Sequence, residues 1–214
     1  MTRSHSLLFA IILCILNSFP ASAKDLQTLT VAGGCFWCVE SDFEKVPGVV
    51  DAVSGFTGGK IANARYNKVS KGGTKHLEAV QITFDADIVS LETLLDIFWR
   101  TIDPTDAGGQ FCDRGKTFSS ALFVKPHQRP LAEASRKAAS KALGKTIVTP
   151  VTDVKPFYPA EATQQNYYKA NKRVLTRFGL IKKKDAYKRY RKACGRDMRV
   201  KQLWGKRAFV VQGS

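Results

Sequence analysis

Apolar positions along this chain change period several times, and each change marks an element. Leu29 to Ala32 is a short run that reads as a strand and ends at Gly33-Gly34. Phe36, Val39 and Phe43 then recur at helical spacing with Glu40, Asp42 and Glu44 between them, so a helix starts at or near Cys35. Val49 to Phe56 reads as a second strand, closed by Thr57-Gly58-Gly59, and the polar stretch from Lys60 to Thr74 as a loop with a turn around Ala64 to Val69. Leu77 to Phe84 alternates, with Glu78, Val80, Ile82 and Phe84 on one face. Glu78 therefore falls on the apolar side. Leu91, Leu94, Leu95 and Phe98 form a helical stripe behind Ser90 as N-cap, broken by Asp103-Pro104-Thr105-Asp106 and Gly108-Gly109. A strand at Ser119 to Val124, a surface helix from Arg129 to Ala142 and an extended segment from Ile147 to Val154 follow. From Glu161 the tail carries helical pieces dense in Lys, Arg and Tyr. Interleaved elements with unequal connections predict an α+β fold, a two-layer sandwich with a mixed sheet and a long basic C-terminal tail.

The N-terminus changes this picture. Arg3 and His5 precede an apolar run from Leu7 to Phe19, then Pro20 and Ala21-Ser22-Ala23, the order of a secretory signal peptide cleaved after Ala23. Cys14 leaves with it. The expected organisation is a signal peptide at 1–23 and a single domain at 24–214, exported to a periplasm or secreted, and monomeric. The chain carries a net charge of +16, concentrated in the tail at Lys182-Lys183-Lys184, Lys188-Arg189, Arg191-Lys192, Arg196 and Arg199. Such a surface can attract anionic protein, nucleic acid or lipid headgroups. Export and the lack of a recognition motif argue against nucleic acid, and the run reads as a solvated basic face.

Cys35, Cys38, Cys112 and Cys194 remain for chemistry. A cysteine at the first turn of a helix faces unpaired N–H groups and the positive end of the helix dipole, which favour thiolate. Cys35 is placed to be a nucleophile. Cys38 lies three residues on, a spacing that permits a disulfide, a thioredoxin-like exchange pair, or simple packing under the helix. Metal binding is not expected, since no second cysteine pair at that spacing exists and only His76 and His127 remain. A carboxylate on the apolar face of a strand is costly when ionised, so Glu78 should hold its proton near neutrality, as an acid beside a nucleophile, unless a Lys or Arg pairs with it.

Gly33-Gly34-Cys35-Phe36-Trp37 with Glu40, Ser54-Gly55-Phe56-Thr57-Gly58-Gly59, His76-Leu77-Glu78-Ala79-Val80, Asp103-Pro104-Thr105 and Asp113-Arg114-Gly115 resemble, in order, the motifs of A-type peptide methionine sulfoxide reductases. The resemblance implies repair of methionine S-sulfoxides, free or protein-bound, without metal or organic cofactor. It implies that Cys35 attacks the sulfoxide sulfur, that Glu78 protonates its oxygen and that Cys35 becomes a sulfenic acid. Phe36 and Trp37 match the methyl pocket, and Asp113 a polar residue that orients the substrate. Phe56 and Phe118 stand where the family usually has tyrosines whose hydroxyls hold the sulfoxide oxygen; Tyr66 is a candidate replacement. Cys38 and Lys75 stand where glycine is common. A second cysteine then resolves the sulfenic acid, with Cys194 first, Cys38 second and Cys112 third in preference, and a thioredoxin-type donor reduces the disulfide. A structural Cys112–Cys194 disulfide is the competing reading for Cys194. A non-catalytic binder of oxidised methionine and a dithiol oxidoreductase are the alternatives to the reductase.

Overall fold

A computed structural model describes residues 24–209, so the signal segment and Cys14 lie outside the described residues. Ten strands and six α-helices appear among them: β1 Leu26–Gly33, α1 Phe36–Phe43, β2 Val49–Thr57, α2 Tyr66–Val69, β3 Leu77–Asp85, α3 Leu91–Trp99, β4 Gly109–Gln110, β5 Asp113–Arg114, β6 Ser120–Val124, α4 Arg129–Leu143, β7 Val151–Asp153, β8 Phe157–Pro159, β9 Arg173–Thr176, β10 Gly179–Lys182, α5 Lys183–Ala193 and α6 Arg196–Trp204.

Six strands form one sheet in the order β7-β6-β1-β3-β2-β8. All its pairs are antiparallel except β6 with β7, so the sheet is mixed. Strand alternation then assigns the two faces. Leu29 and Val31 of β1, Val80, Ile82 and Phe84 of β3, and Leu122 and Val124 of β6 point into the main core, with Val39 and Phe43 of α1 and Leu94, Leu95 and Phe98 of α3 packed over them. Ala32, Ala79, Ala121 and Phe123 make a thinner cluster on the other face. Glu78 shares the parity of Val80 and Ile82, which places it under α1 on the helix-covered face.

Ser90 caps α3 as expected, accepting a hydrogen bond from the Thr93 amide at 3.2 Å. The tail differs from its sequence reading. Between Glu161 and Lys182 it holds a 3-10 turn at Tyr167–Lys169 and a short β9–β10 hairpin, and only α5 and α6 beyond it are α-helical. The hairpin turn is set by Gly179, whose φ of +93° suits glycine. The basic run is also not all surface: Lys183, Arg191 and Arg196 are buried.

Candidate active site

The turn from β1 into α1 presents Cys35. Gly34 has a φ of +80°, and a Cβ there would lie 2.6 Å from the Gln110 side chain, so the chain can turn only with glycine at this point. Cys35 is the N-cap of α1, its carbonyl accepting from the amides of Cys38 and Val39 at 3.0 and 3.3 Å. The first amide of the helix, that of Phe36, donates to Glu78 Oε2 at 3.0 Å. Glu78 thus takes one of the N–H groups that would otherwise face the Cys35 sulfur. Burial pushes the Glu78 carboxyl up to about 8; the Phe36 amide opposes the shift, and the charges of Asp113 and Cys38 add to it. The carboxyl therefore holds its proton at neutral pH.

Cys35 and Cys38 are free thiols packed against one another in one cluster. That contact, then burial, pushes the Cys35 thiol well up, while the same contact lowers Cys38 against its own burial, helped by Arg191 and Arg196. The guanidinium groups lie on the Cys38 side, so of the two thiols Cys38 is the one shifted toward thiolate. The helix start alone favoured a Cys35 thiolate; the neighbouring thiol reverses that order.

A cavity of about 570 Å³ opens over the two thiols. Phe36, Trp37, Tyr66, Glu78, Asp113 and Phe118 line it together with Cys35 and Cys38. Tyr66 stacks on both Phe36 and Trp37, with ring centres 5.9 and 5.8 Å apart, and Tyr167, which the sequence reading passed over, stacks on Trp37 at 3.9 Å. Phe56 is different. It is fully buried behind Phe36, 5.7 Å between ring centres, and does not line the cavity. His76 belongs to the scaffold: its Nδ1 accepts from the Gly59 amide at 3.2 Å and its Nε2 faces the Lys60 carbonyl at 3.0 Å. Asp103 is scaffold too, its carboxylate held by the Thr105 amide and by Arg199 Nε at 2.7 Å.

Cys194 is not a free thiol beside Cys35. It is joined to Cys112 in a disulfide that pins the end of α5 to the β4–β5 turn, beside Asp113 on the cavity wall. Both cysteines border the same cavity, so the structure gathers all four sulfurs, as two pairs, around one space. Cys112, Asp113 and Cys194 are also the one grouping among the described residues whose donor atoms lie close enough for a metal ion. With both sulfurs in a disulfide, only the carboxylate of that set remains as a ligand.

The positive charge under Cys38 comes from the tail. Arg191 reaches Asp42 Oδ1 of α1 at 2.9 Å and Asp197 at 2.7 Å, and Arg196 donates to the Gly33 carbonyl at 2.9 Å while stacking on Phe111. No spacing rule marks these arginines, since their run is indistinguishable in the sequence from the solvated lysines around it.

A family model described as peptide methionine sulfoxide reductase matches residues 27–204. The chain is 44% identical over 206 residues to the peptide methionine sulfoxide reductase MsrA 2 of Caulobacter vibrioides, covering 95% of this chain and 99% of that one. It is 42% identical over 205 residues to the protein of the same name from Rhizobium meliloti, covering 95% and 96%. Among solved structures, it resembles Mxr1 from Saccharomyces cerevisiae in reduced form, with a TM-score of 0.63 and 29% identity over 69% of this chain and 86% of that one. Methionine sulfoxide reductase A of Corynebacterium diphtheriae gives a TM-score of 0.57 at 28% identity, over 66% and 73%.

Proposed function

Since the chain belongs to the peptide methionine sulfoxide reductase family, we propose that Cys35 attacks the sulfur of a methionine S-sulfoxide, free or in a protein, while Glu78 protonates the leaving oxygen. The protein is a cysteine-based thiol oxidoreductase acting on methionine sulfoxide. The observation that carries the residue roles is the Phe36 turn, where one amide links the buried, protonated Glu78 to the helix that presents Cys35.

The chemistry follows from the opposite shifts of the two neighbouring thiols. As substrate enters, the Cys38 thiolate accepts the Cys35 proton, and the Cys35 sulfur bonds to the sulfoxide sulfur as Glu78 gives its proton to the oxygen. Oxygen passes to Cys35, which becomes a sulfenic acid, and methionine leaves with two more electrons than the sulfoxide carried. The Cys38 thiol then attacks the sulfenic sulfur, forming a Cys35–Cys38 disulfide and releasing water. A thioredoxin-type dithiol returns both sulfurs to thiols. Phe36, Trp37 and Tyr66 supply the apolar wall for the methyl group, and Asp113 faces the polar side. Cys38 precedes Cys194 as resolver in this scheme because it is a thiol in contact with Cys35, whereas Cys194 already holds a bond to Cys112.

Incubation with a methionine S-sulfoxide peptide and dithiothreitol should yield methionine, and Cys35→Ser should yield none above background. Peptide mapping after one equivalent of sulfoxide without reductant should recover a Cys35–Cys38 link; a Cys35–Cys194 link would return the resolving role to Cys194. Repair outside the cytoplasm completes the proposal: protein recovered from an exporting host should begin at Lys24 on N-terminal sequencing.

A further inference from the structure

Apart from the arginines under Cys38, the tail also walls the cavity. Among the described residues β9 pairs with β10 alone, in a two-stranded sheet separate from the main one, so its other edge has no strand partner there. The four consecutive residues Val174 to Arg177 border the cavity that holds Cys35 and Glu78. An open edge running along a site is the feature to which an extended peptide adds as a further strand. Leu175 of β9 is 80% exposed, an apolar side chain open to solvent. The cavity falls in the size range of sites for whole drug-sized ligands and is several times what one methionine side chain fills.

Arg177 adds charge selectivity to this wall. Its guanidinium lies 4.9 Å from the Phe178 ring centre and 5.1 Å from that of Tyr190, which hold it in place. Arg191, Arg196 and Arg199 of the tail all face carboxylates; among the described residues Arg177 faces none within ion-pair distance. Arg189 stacks on the other side of the cluster, 5.6 Å from Phe178. A fixed, unpaired cation beside an open strand edge is built to meet an anion on an extended chain.

We propose that β9 and Arg177 form a peptide subsite, and that the chain acts preferentially on methionine sulfoxide in extended segments carrying a nearby Asp or Glu. This rests on the reductase reading and deepens its substrate class. The same cation could instead meet an acidic electron donor; its place on the wall of the cavity where the sulfoxide must lie favours the substrate.

The test compares kcat/KM for two peptides that differ only in Glu or Lys beside one methionine S-sulfoxide, with N-acetylmethionine sulfoxide as the small substrate and dithiothreitol as reductant throughout. Wild type should favour the Glu peptide about fivefold at low salt, and the preference should fade as salt rises. Arg177→Ser should bring the two peptides together, and Arg177→Glu should invert their order. Equal rates on both peptides with wild type, or a preference that survives Arg177→Ser, would overturn the subsite. So would equal peptide rates with an Arg177-dependent KM for a thioredoxin-type donor, which would give the cation to the donor. If wild type reduces neither peptide nor N-acetylmethionine sulfoxide, the reductase reading fails instead.

Discussion

Glu78 accepts the Phe36 amide and, in the proposed reaction, also gives its proton to the sulfoxide oxygen. Because burial holds it at about 8, reduction of the sulfoxide should weaken as pH rises through that value and the acid is lost. Glu78→Gln should lower single-turnover reduction by a factor on the order of 10² to 10⁴ and remove that alkaline limb. A limb that survives the substitution would assign it to another group. Lys75 carries a different kind of information. Its φ of +63° is left-handed, a conformation costly for a side chain, so its standing where glycine is common has a backbone meaning. Lys75→Gly should stabilise the fold by a few tenths to about 1 kcal/mol, the relief of strain exceeding the added freedom of the unfolded chain. Chemical denaturation with unchanged m-value would measure it, and a loss of stability would refute the strain.

At the scale of elements, α1 is held from below by the tail. Asp42 of α1 is wholly buried and depends on Arg191 of α5 for its counter-charge, with Arg196 of α6 farther off at 3.7 Å. Arg191→Leu should cost on the order of 3–5 kcal/mol, because it strands a buried carboxylate, and Asp42→Leu in the same chain should recover much of that loss. A shift in urea midpoint for the single variant with no recovery in the double would mean that packing, not charge, is what Arg191 supplies. This pair also shows where sequence reading stops. β1, α1, β2, β3, α3 and β6 follow from the spacing of apolar residues, and Glu78 from one position in one alternation, because each signal is local. Arg191, Arg196 and the β9–β10 hairpin were not legible. A run of lysine and arginine looks solvated until the distant carboxylate that buries part of it is known, and a hairpin of four-residue strands leaves too few periods to distinguish it from helix. Phe56 failed in the other direction: its motif placed it at the substrate, and packing puts it one layer behind.

Across the whole molecule the site is in tension with the stability that supports it. Glu40, buried in α1 and accepting from Ser54 and the Asn166 amide, is held at about 7 by burial, and Glu78 at about 8. Both values lie above the unfolded value near 4.5, so between these limits the folded chain binds more protons than the unfolded one. Stability from these two groups is therefore full below about pH 4.5 and lost as pH rises through about 7 and 8. The net charge of +16 acts oppositely, since protonating the remaining surface carboxylates in acid increases self-repulsion. Glu78→Gln separates the two effects, because it removes one titration and leaves the surface alone. The variant should match wild type near pH 4 and exceed it by on the order of a few kcal/mol at pH 9, where wild type must bury an ionised carboxylate. Thermal or urea unfolding at the two pH values would read the difference directly, and an equal offset at both would show that burial of Glu78 has no linkage cost. The stabilised variant is the one that has lost the proposed proton donor, so under that proposal selection for a stable fold at alkaline pH and for sulfoxide reduction pull on the same side chain.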